Sequence, residues 1–219
     1  MDGVPIFSLW KHTMPHAKLT SIRGCLNSTT TMIITRMEGN LERGGIGGSS
    51  FQVALDICKE MGIVEADESL DIDGYDAAVK LRALLVVLSS SEEPDRVILP
   101  TMDEIPRESI RSLKREDIKE AYANGKKKYR LVATANLIEE KSNSNDTPTK
   151  RWEAEVRLQL IVPSDPLYNL TGADASVQLS TDVLGPVTVV STNPTLKDTA
   201  YGLFSDIIRV AAESKYEHS

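Results

Sequence analysis

The spacing of apolar residues changes along the chain, and each change predicts an element. Over residues 151–162, Trp152, Ala154, Val156, Leu158 and Leu160 alternate with polar neighbours, the period of two that sends one side of a strand into a core. Residues 129–138 predict a second strand. The segment between them, 141–150, is rich in Ser, Asn and Thr and has the composition of a loop, so the two strands are expected to pair antiparallel. Shorter strands are predicted at 4–10, 19–24, 174–181 and 186–191.

Elsewhere the period is helical. Val53, Ile57 and Met61 recur four apart beside Ala54 and Cys58, predicting a helix over 51–61. Gly62 then acts as a stop. Ala77, Leu81, Leu84 and Leu88 form one stripe of a helix over 75–88. Leu196, Ala200, Leu203, Ile207, Val210 and Ala211 form the apolar side of a last helix over 196–212. The small-polar run Asn27-Ser28-Thr29-Thr30-Thr31 stands ahead of Met32, Ile33, Ile34 and Met37, which marks a helix N-terminus. Free backbone N–H groups at such an end also suit a carboxylate or phosphate. Residues 92–128 are polar and broken by Pro94, Pro100 and Pro106, with a short helix expected at 117–123 and a solvated turn at Lys126-Lys127-Lys128. No internal repeat is present.

These elements add up to an α/β chain with a mixed, largely antiparallel sheet and helices on one face. Its 219 residues can bury a sizeable core. Aromatics are only 5%, so that core is built from Leu, Ile, Val and Ala. A net charge of −7 gains nothing from a phosphate backbone, so nucleic acid is not expected as a partner. No apolar run reaches the roughly 18 residues of a membrane span, and the N-terminus has no secretion signal. Cys25 and Cys58 are isolated, as free thiols of a reducing compartment are, and the expected location is cytoplasmic.

Two stretches invite chemistry. Gly44-Gly45-Ile46-Gly47-Gly48-Ser49-Ser50 suggests a phosphate loop, but no hydrophobic strand precedes it and no Gly-Lys-Ser/Thr follows. It predicts instead a loop with Ser49 or Ser50 capping the next helix. The second stretch carries Glu65, Asp67, Glu68, Asp71, Asp73 and Asp76, six carboxylates within twelve residues. A calcium loop of the EF-hand type fails, because Gly74 at its sixth position puts Ser69 at the first and Lys80 at the twelfth. Zinc fails for want of histidine. A solvated acidic turn remains open, with Asp76 and Lys80 as an i,i+4 pair contributing about 0.3–0.5 kcal/mol. So does a cation site, for magnesium, calcium or the ammonium group of an amino acid.

The order of residues adds a resemblance. Gly24-Cys25-Leu26-Asn27-Ser28-Thr29-Thr30-Thr31-Met32-Ile33-Ile34 is similar to the homoserine dehydrogenase signature G-I-L-N-G-T-T-N-Y-I-L. Ser49-Ser50-Phe51-Gln52-Val53-Ala54-Leu55 resembles that family's S-F-x-x-A-L. Residues 61–81, from Met61-Gly62 through Asp71-Ile72-Asp73-Gly74-Tyr75-Asp76 to Lys80-Leu81, resemble L-G-Y-A-E-A-D-P-x-x-D-V-x-G-x-D-A-x-x-K-L almost continuously. Thr181-Asp182-Val183-Leu184-Gly185-Pro186-Val187 resembles G-D-x-L-G-P-L, and Thr199-Ala200 matches the start of T-A-S. The resemblance runs from about Gly3 to Ala212.

It implies the family's catalytic-domain fold over 1–219. Residues 11–150 would be the catalytic part, 3–10 with 151–191 the sheet through which two copies dimerise, and 196–212 a C-terminal helix. It implies interconversion of aspartate semialdehyde and homoserine with NAD or NADP. Lys80 and Asp76 would be catalytic, and Glu65, Asp71 and Thr29 would contact the amino-acid-like substrate. Hydride transfer to an aldehyde carbon leaves an alkoxide, which a nearby ammonium stabilises.

The departures narrow this. The family's nucleotide-binding domain, with its G-x-G-x-x-G turn, has no counterpart in these residues. The same holds for the lysine that the domain supplies as proton donor and the glutamate near the family's monovalent-cation site. Ser28 and Thr31 replace the second Gly and second Asn of the signature. Ser191-Thr192-Asn193-Pro194-Thr195 replaces a Gly-rich segment that approaches the cofactor, so no cofactor-binding residue is assigned, and no metal ligand. Activity then needs a nucleotide-binding partner chain. Alternatives are a cofactor-independent enzyme reusing Asp76 and Lys80 on a carbonyl substrate, or a non-catalytic binding and dimerisation module. The apolar side of the last helix needs a cover from elsewhere.

Overall fold

The long alternating pair is the spine of the molecule. The computed structural model describes residues 4–41, 47–64, 67–89, 97–140 and 149–216. Strand β3 (Lys128–Glu140) and strand β4 (Thr149–Ile161) pair antiparallel over their whole length, from Lys128 opposite Ile161 to Glu140 opposite Thr149. Strand β1 (Leu19–Gly24) lies against β3 on one side and β5 (Ala175–Thr181) on the other, both antiparallel. Strand β6 (Val187–Ser191) adds to β5. Strand β2 (Val97–Ile98) runs parallel to β4. The six strands form one sheet in the order β2-β4-β3-β1-β5-β6.

The period of two sorts β3 between two cores. Leu131, Ala133 and Ala135 face the main core, while Val132 faces the other way. On the first face lie α2 (Ser28–Glu38), α5 (Tyr75–Leu88) and α6 (Arg115–Ala123), all in contact with β3, and α5 also touches β4. Trp152, Val156, Leu81, Leu85, Ile33 and Ile34 are buried between these helices and the sheet. Helix α3 (Phe51–Glu60) packs on α2. On the second face a smaller cluster joins Val132 to Cys25, Ile161, Leu167, Tyr168 and Leu170. Burial there pushes the Cys25 thiol up to about 12, against the opposing fields of Arg130 and Arg23. Burial likewise raises Cys58 on α3.

A buried ion pair locks the far end of α2. Arg130, fully enclosed, donates to Glu38 Oε1 at 2.5 Å and to the carbonyl oxygens of Tyr129 and Leu170 at 2.6 and 2.7 Å. The charge is therefore paired and hydrogen-bonded, as burial requires.

Several expectations change. Residues 4–10 are not a strand: α1 (Ile6–Thr13) is a helix, because Ile6 and Trp10, four apart, both enter the main core. The apolar run satisfied either period, and the spacing of its two largest buried groups decided. Lys126, with φ 55°, does make a turn, but Lys128 opens β3 and is buried with its Nζ 4.4 Å from the centre of the Tyr168 ring. A one-turn helix, α4 (Ser69–Ile72), sits inside the acidic stretch and was not anticipated. Ser50 caps α3 by accepting from the Val53 N–H, while residues 44–46 of the glycine-rich segment lie outside the described residues. The last helix, α7 (Leu196–Tyr216), forms as predicted but leaves Leu196, Leu203, Ile207 and Val210 exposed.

Candidate active site

The site is assembled at the start of α2. The chain leaves β1 at Gly24 and becomes extended at Asn27 (φ −121°, ψ 112°), the residue that caps the helix. Asn27 Oδ1 accepts the Thr30 N–H at 2.7 Å, and the Asn27 carbonyl accepts the hydroxyls of Thr30 and Thr31 at 3.0 and 3.1 Å. The hydroxyl run therefore knits the first turn of the helix. The Asn27 amide nitrogen turns to the acidic stretch. It donates to Asp71 Oδ1 at 2.7 Å and to Asp76 Oδ2 at 2.8 Å.

Those carboxylates come from two short helices joined at Gly74. Asp71 lies in α4 and is buried. Asp76 lies in the first turn of α5, where the helix dipole favours an anion. Gly74 between them has φ 75°. A Cβ there would stand 3.2 Å from Val156 Cγ1 and 3.3 Å from the Glu108 carbonyl oxygen. The turn thus needs a residue with no side chain, both for its left-handed backbone and for its seat on β4. One turn further along α5, Lys80 Nζ contacts Asp76 Oδ2 at 2.8 Å. The Lys80 side chain is 34% exposed, so its ammonium is held on one side and open on another.

Asp67, Glu68 and Asp73 face away. Glu68 pairs with Lys59 and, at 3.2 Å, with Arg111. Arg111 also meets Asp73 Oδ1 at 3.1 Å, which accepts the Ser109 hydroxyl at 2.6 Å. Lys59 foremost, then Arg111, hold the Glu68 carboxyl below its ordinary range. Asp67 accepts the hydroxyl and N–H of Ser69, which lowers it too. This outer set ties the acidic turn to the 107–113 segment. The acidic-turn reading describes Asp67, Glu68 and Asp73, while Asp71 and Asp76 turn inward. Among the described residues no three His, Cys, Asp or Glu side chains gather as a metal cage.

The structure thus brings Asp71, Asp76 and Lys80 to one point. Thr29 is buried in the first turn of α2, its hydroxyl 3.4 Å from the Ile63 carbonyl oxygen. Glu65 lies outside the described residues. Asn27, at the centre, was not singled out from sequence except as part of a capping run. Its signal is chemical: a buried capping amide still has two N–H donors to satisfy. The sequence does not say which acceptors satisfy them.

With Asp71 and Asp76 against Lys80, the cluster carries net negative charge and suits a cationic group. The Lys80 ammonium beside it suits an oxygen that gains charge. The late turn offers no comparable seat for a dinucleotide. There the N–H of Asn193 is taken by Asp174 Oδ1 at 2.8 Å, and that of Thr195 by Asp198 Oδ2 at 2.7 Å. A pyrophosphate needs such N–H groups open and close, so this turn does not offer a seat for one.

The sequence profile described as homoserine dehydrogenase matches residues 5–208. An NAD(+)-dependent homoserine dehydrogenase of Pseudomonas canavaninivorans is 28% identical over 100% of this chain and 56% of its own. A homoserine dehydrogenase structure from Thiobacillus denitrificans superposes with TM-score 0.73 at 24% identity, covering 94% of this chain and 42% of its own. A hyperthermophilic archaeal homoserine dehydrogenase in complex with NADPH gives 0.68 at 25% identity, over 97% and 53%. The chain spans about half the length of the curated relatives it matches.

Proposed function

The chain belongs to the homoserine dehydrogenase family, and from that premise we propose that it is the substrate half of an oxidoreductase interconverting aspartate semialdehyde and homoserine. The observation that carries this reading is the convergence of Asn27, Asp71, Asp76 and Lys80. Asp71 and Glu65 would attract the substrate ammonium, and Thr29 would line the same pocket. Lys80, steadied by Asp76, would donate to the substrate oxygen. Such a positioned donor contributes typically 10²–10⁴-fold to rate. The NAD or NADP would be held by a nucleotide-binding domain outside the described residues. In this reading residues 11–150 carry the substrate chemistry, and 3–10, which enter helix α1, with 151–191 form the part through which two copies pair. Two unpaired buried cysteines suit the cytoplasm, and no described helix is long and apolar enough to cross a membrane.

Calorimetric titration of the chain with homoserine, NADPH and NADH, singly and together, tests the reading. Homoserine should bind, and neither cofactor should bind at micromolar affinity unless a nucleotide-binding domain is added. Adding that domain should give NAD(P)H-dependent turnover that Lys80→Ala removes. A chain that binds no homoserine, with or without cofactor, sinks it.

A further inference from the structure

Asn27 does more than cap a helix. Ser, Thr and Asp cap as well as Asn does, because the cap needs only one acceptor oxygen. None of them also carries two N–H donors, which only an amide of this length supplies. Here both the acceptor and the donor side are used: Oδ1 holds the Thr30 N–H, and the nitrogen serves Asp71 and Asp76 at 2.7 and 2.8 Å. The residue is 3% exposed, so these protein partners are what its polar atoms have. Asp71 and Asp76 both carry negative charge close to one nitrogen. Apart they would repel, and Lys80, on Asp76, opposes that repulsion directly. The Asn27 side chain is itself fixed by the first turn of α2.

We propose that Asn27 is the positioning residue of this site. It sets the separation and orientation of Asp71 and Asp76, and through Asp76 the seat of the Lys80 ammonium, without contacting substrate. The inference rests on the reading that these carboxylates receive an amino-acid substrate. It deepens that reading by making α2 the template on which the two short helices α4 and α5 are registered.

Two substitutions separate positioning from capping. Asn27→Ser keeps the capping oxygen and removes both donors. Asn27→Asp keeps the cap and places a third carboxyl among the other two. With positioning, Asn27→Ser melts close to the wild-type temperature but binds homoserine about ten- to a hundredfold more weakly, as for the loss of hydrogen bonds to charged groups. Asn27→Asp binds poorly at neutral pH and recovers as pH falls, because the new carboxyl must take up a proton before it can donate. A residue that only caps predicts wild-type affinity and an unmoved pH profile in both variants, and that result overturns the proposal. Carboxyl-carbon NMR of Asp71 and Asp76 adds a readout that needs no ligand. Both resonances should move in Asn27→Ser. If the wild-type chain binds no homoserine, the substrate reading fails, and unmoved Asp71 and Asp76 carboxyl resonances would sink the Asn27 proposal separately. Should Asn27→Ser not fold, the pH recovery of homoserine binding and the Asp71 and Asp76 carboxyl resonances of Asn27→Asp decide.

Discussion

Leu81 on α5 and Leu203 on α7 both sit in helical apolar stripes that are equally plain in the sequence, yet Leu81 is fully buried and Leu203 is 66% exposed. Helix α5 has β3 and β4 beneath it. The stripe of α7 has no comparable floor among the described residues. An amphipathic pattern states that a face loses free energy by being covered; it does not state what covers it. The stripe of α5 is enclosed within the chain, by the sheet it lies on. The last helix is finished only as a helix.

Four experiments would break or sharpen that contrast. The largest effect is expected at the far end of α2. Glu38→Ala leaves the enclosed Arg130 charge without its carboxylate, at a cost of about 3–5 kcal/mol; urea unfolding would read it, and a loss below 1 kcal/mol would mean that the pair behaves as a surface one. Next is Gly74→Ala. The added methyl meets Val156 and the Glu108 carbonyl at a left-handed backbone position, costing about 1–3 kcal/mol. Homoserine binding should fall with it, because Asp71 and Asp76 lose their register. Unchanged binding would show that the α4–α5 turn tolerates displacement.

The third effect is smaller and depends on pH. The Glu68 carboxyl is lowered by Lys59 and Arg111. Its stabilisation is full at neutral pH, starts to fade near the ordinary glutamate value of 4.5, and is lost as pH falls through the lower folded value. Glu68→Gln should flatten that part of the acid melting profile; an identical profile would remove Glu68 from the clamp. The smallest effect is expected on α7, where Leu203→Asp should change the stability of the isolated chain by less than about 0.5 kcal/mol. A larger loss would show that the stripe is already covered, by a second copy of the chain, and sedimentation would then report the dimer.

The sequence made some of this legible and hid the rest for identifiable reasons. The β3–β4 pair was readable because its alternation is long and its loop is unmistakable in composition. The stripe of α5 was readable because Ala77, Leu81, Leu84 and Leu88 fit no other period. At residues 4–10 the apolar residues were too crowded for period to discriminate, and packing of Ile6 and Trp10 settled it. Asp71, Asp76 and Lys80 were marked as a group by their spacing around Gly74. Asn27 was not joined to them, because a contact between residues 27 and 71 depends on how α2 and α4 cross. The outward turn of Glu68 and Asp73 was equally invisible, since it is decided by Lys59 on the preceding helix and by Arg111, remote in the sequence.

The two enclosed thiols give the molecule a further property. Only a thiolate attacks an alkylating reagent, and Cys25 is both covered and pushed up to about 12. At neutral pH its labelling must wait until the cluster of Val132, Ile161, Leu167, Tyr168 and Leu170 parts. Cys58 waits in the same way on the packing around α3. Each cysteine is therefore a built-in clock for the opening of one side of the sheet, and their two labelling rates would show which side comes apart first.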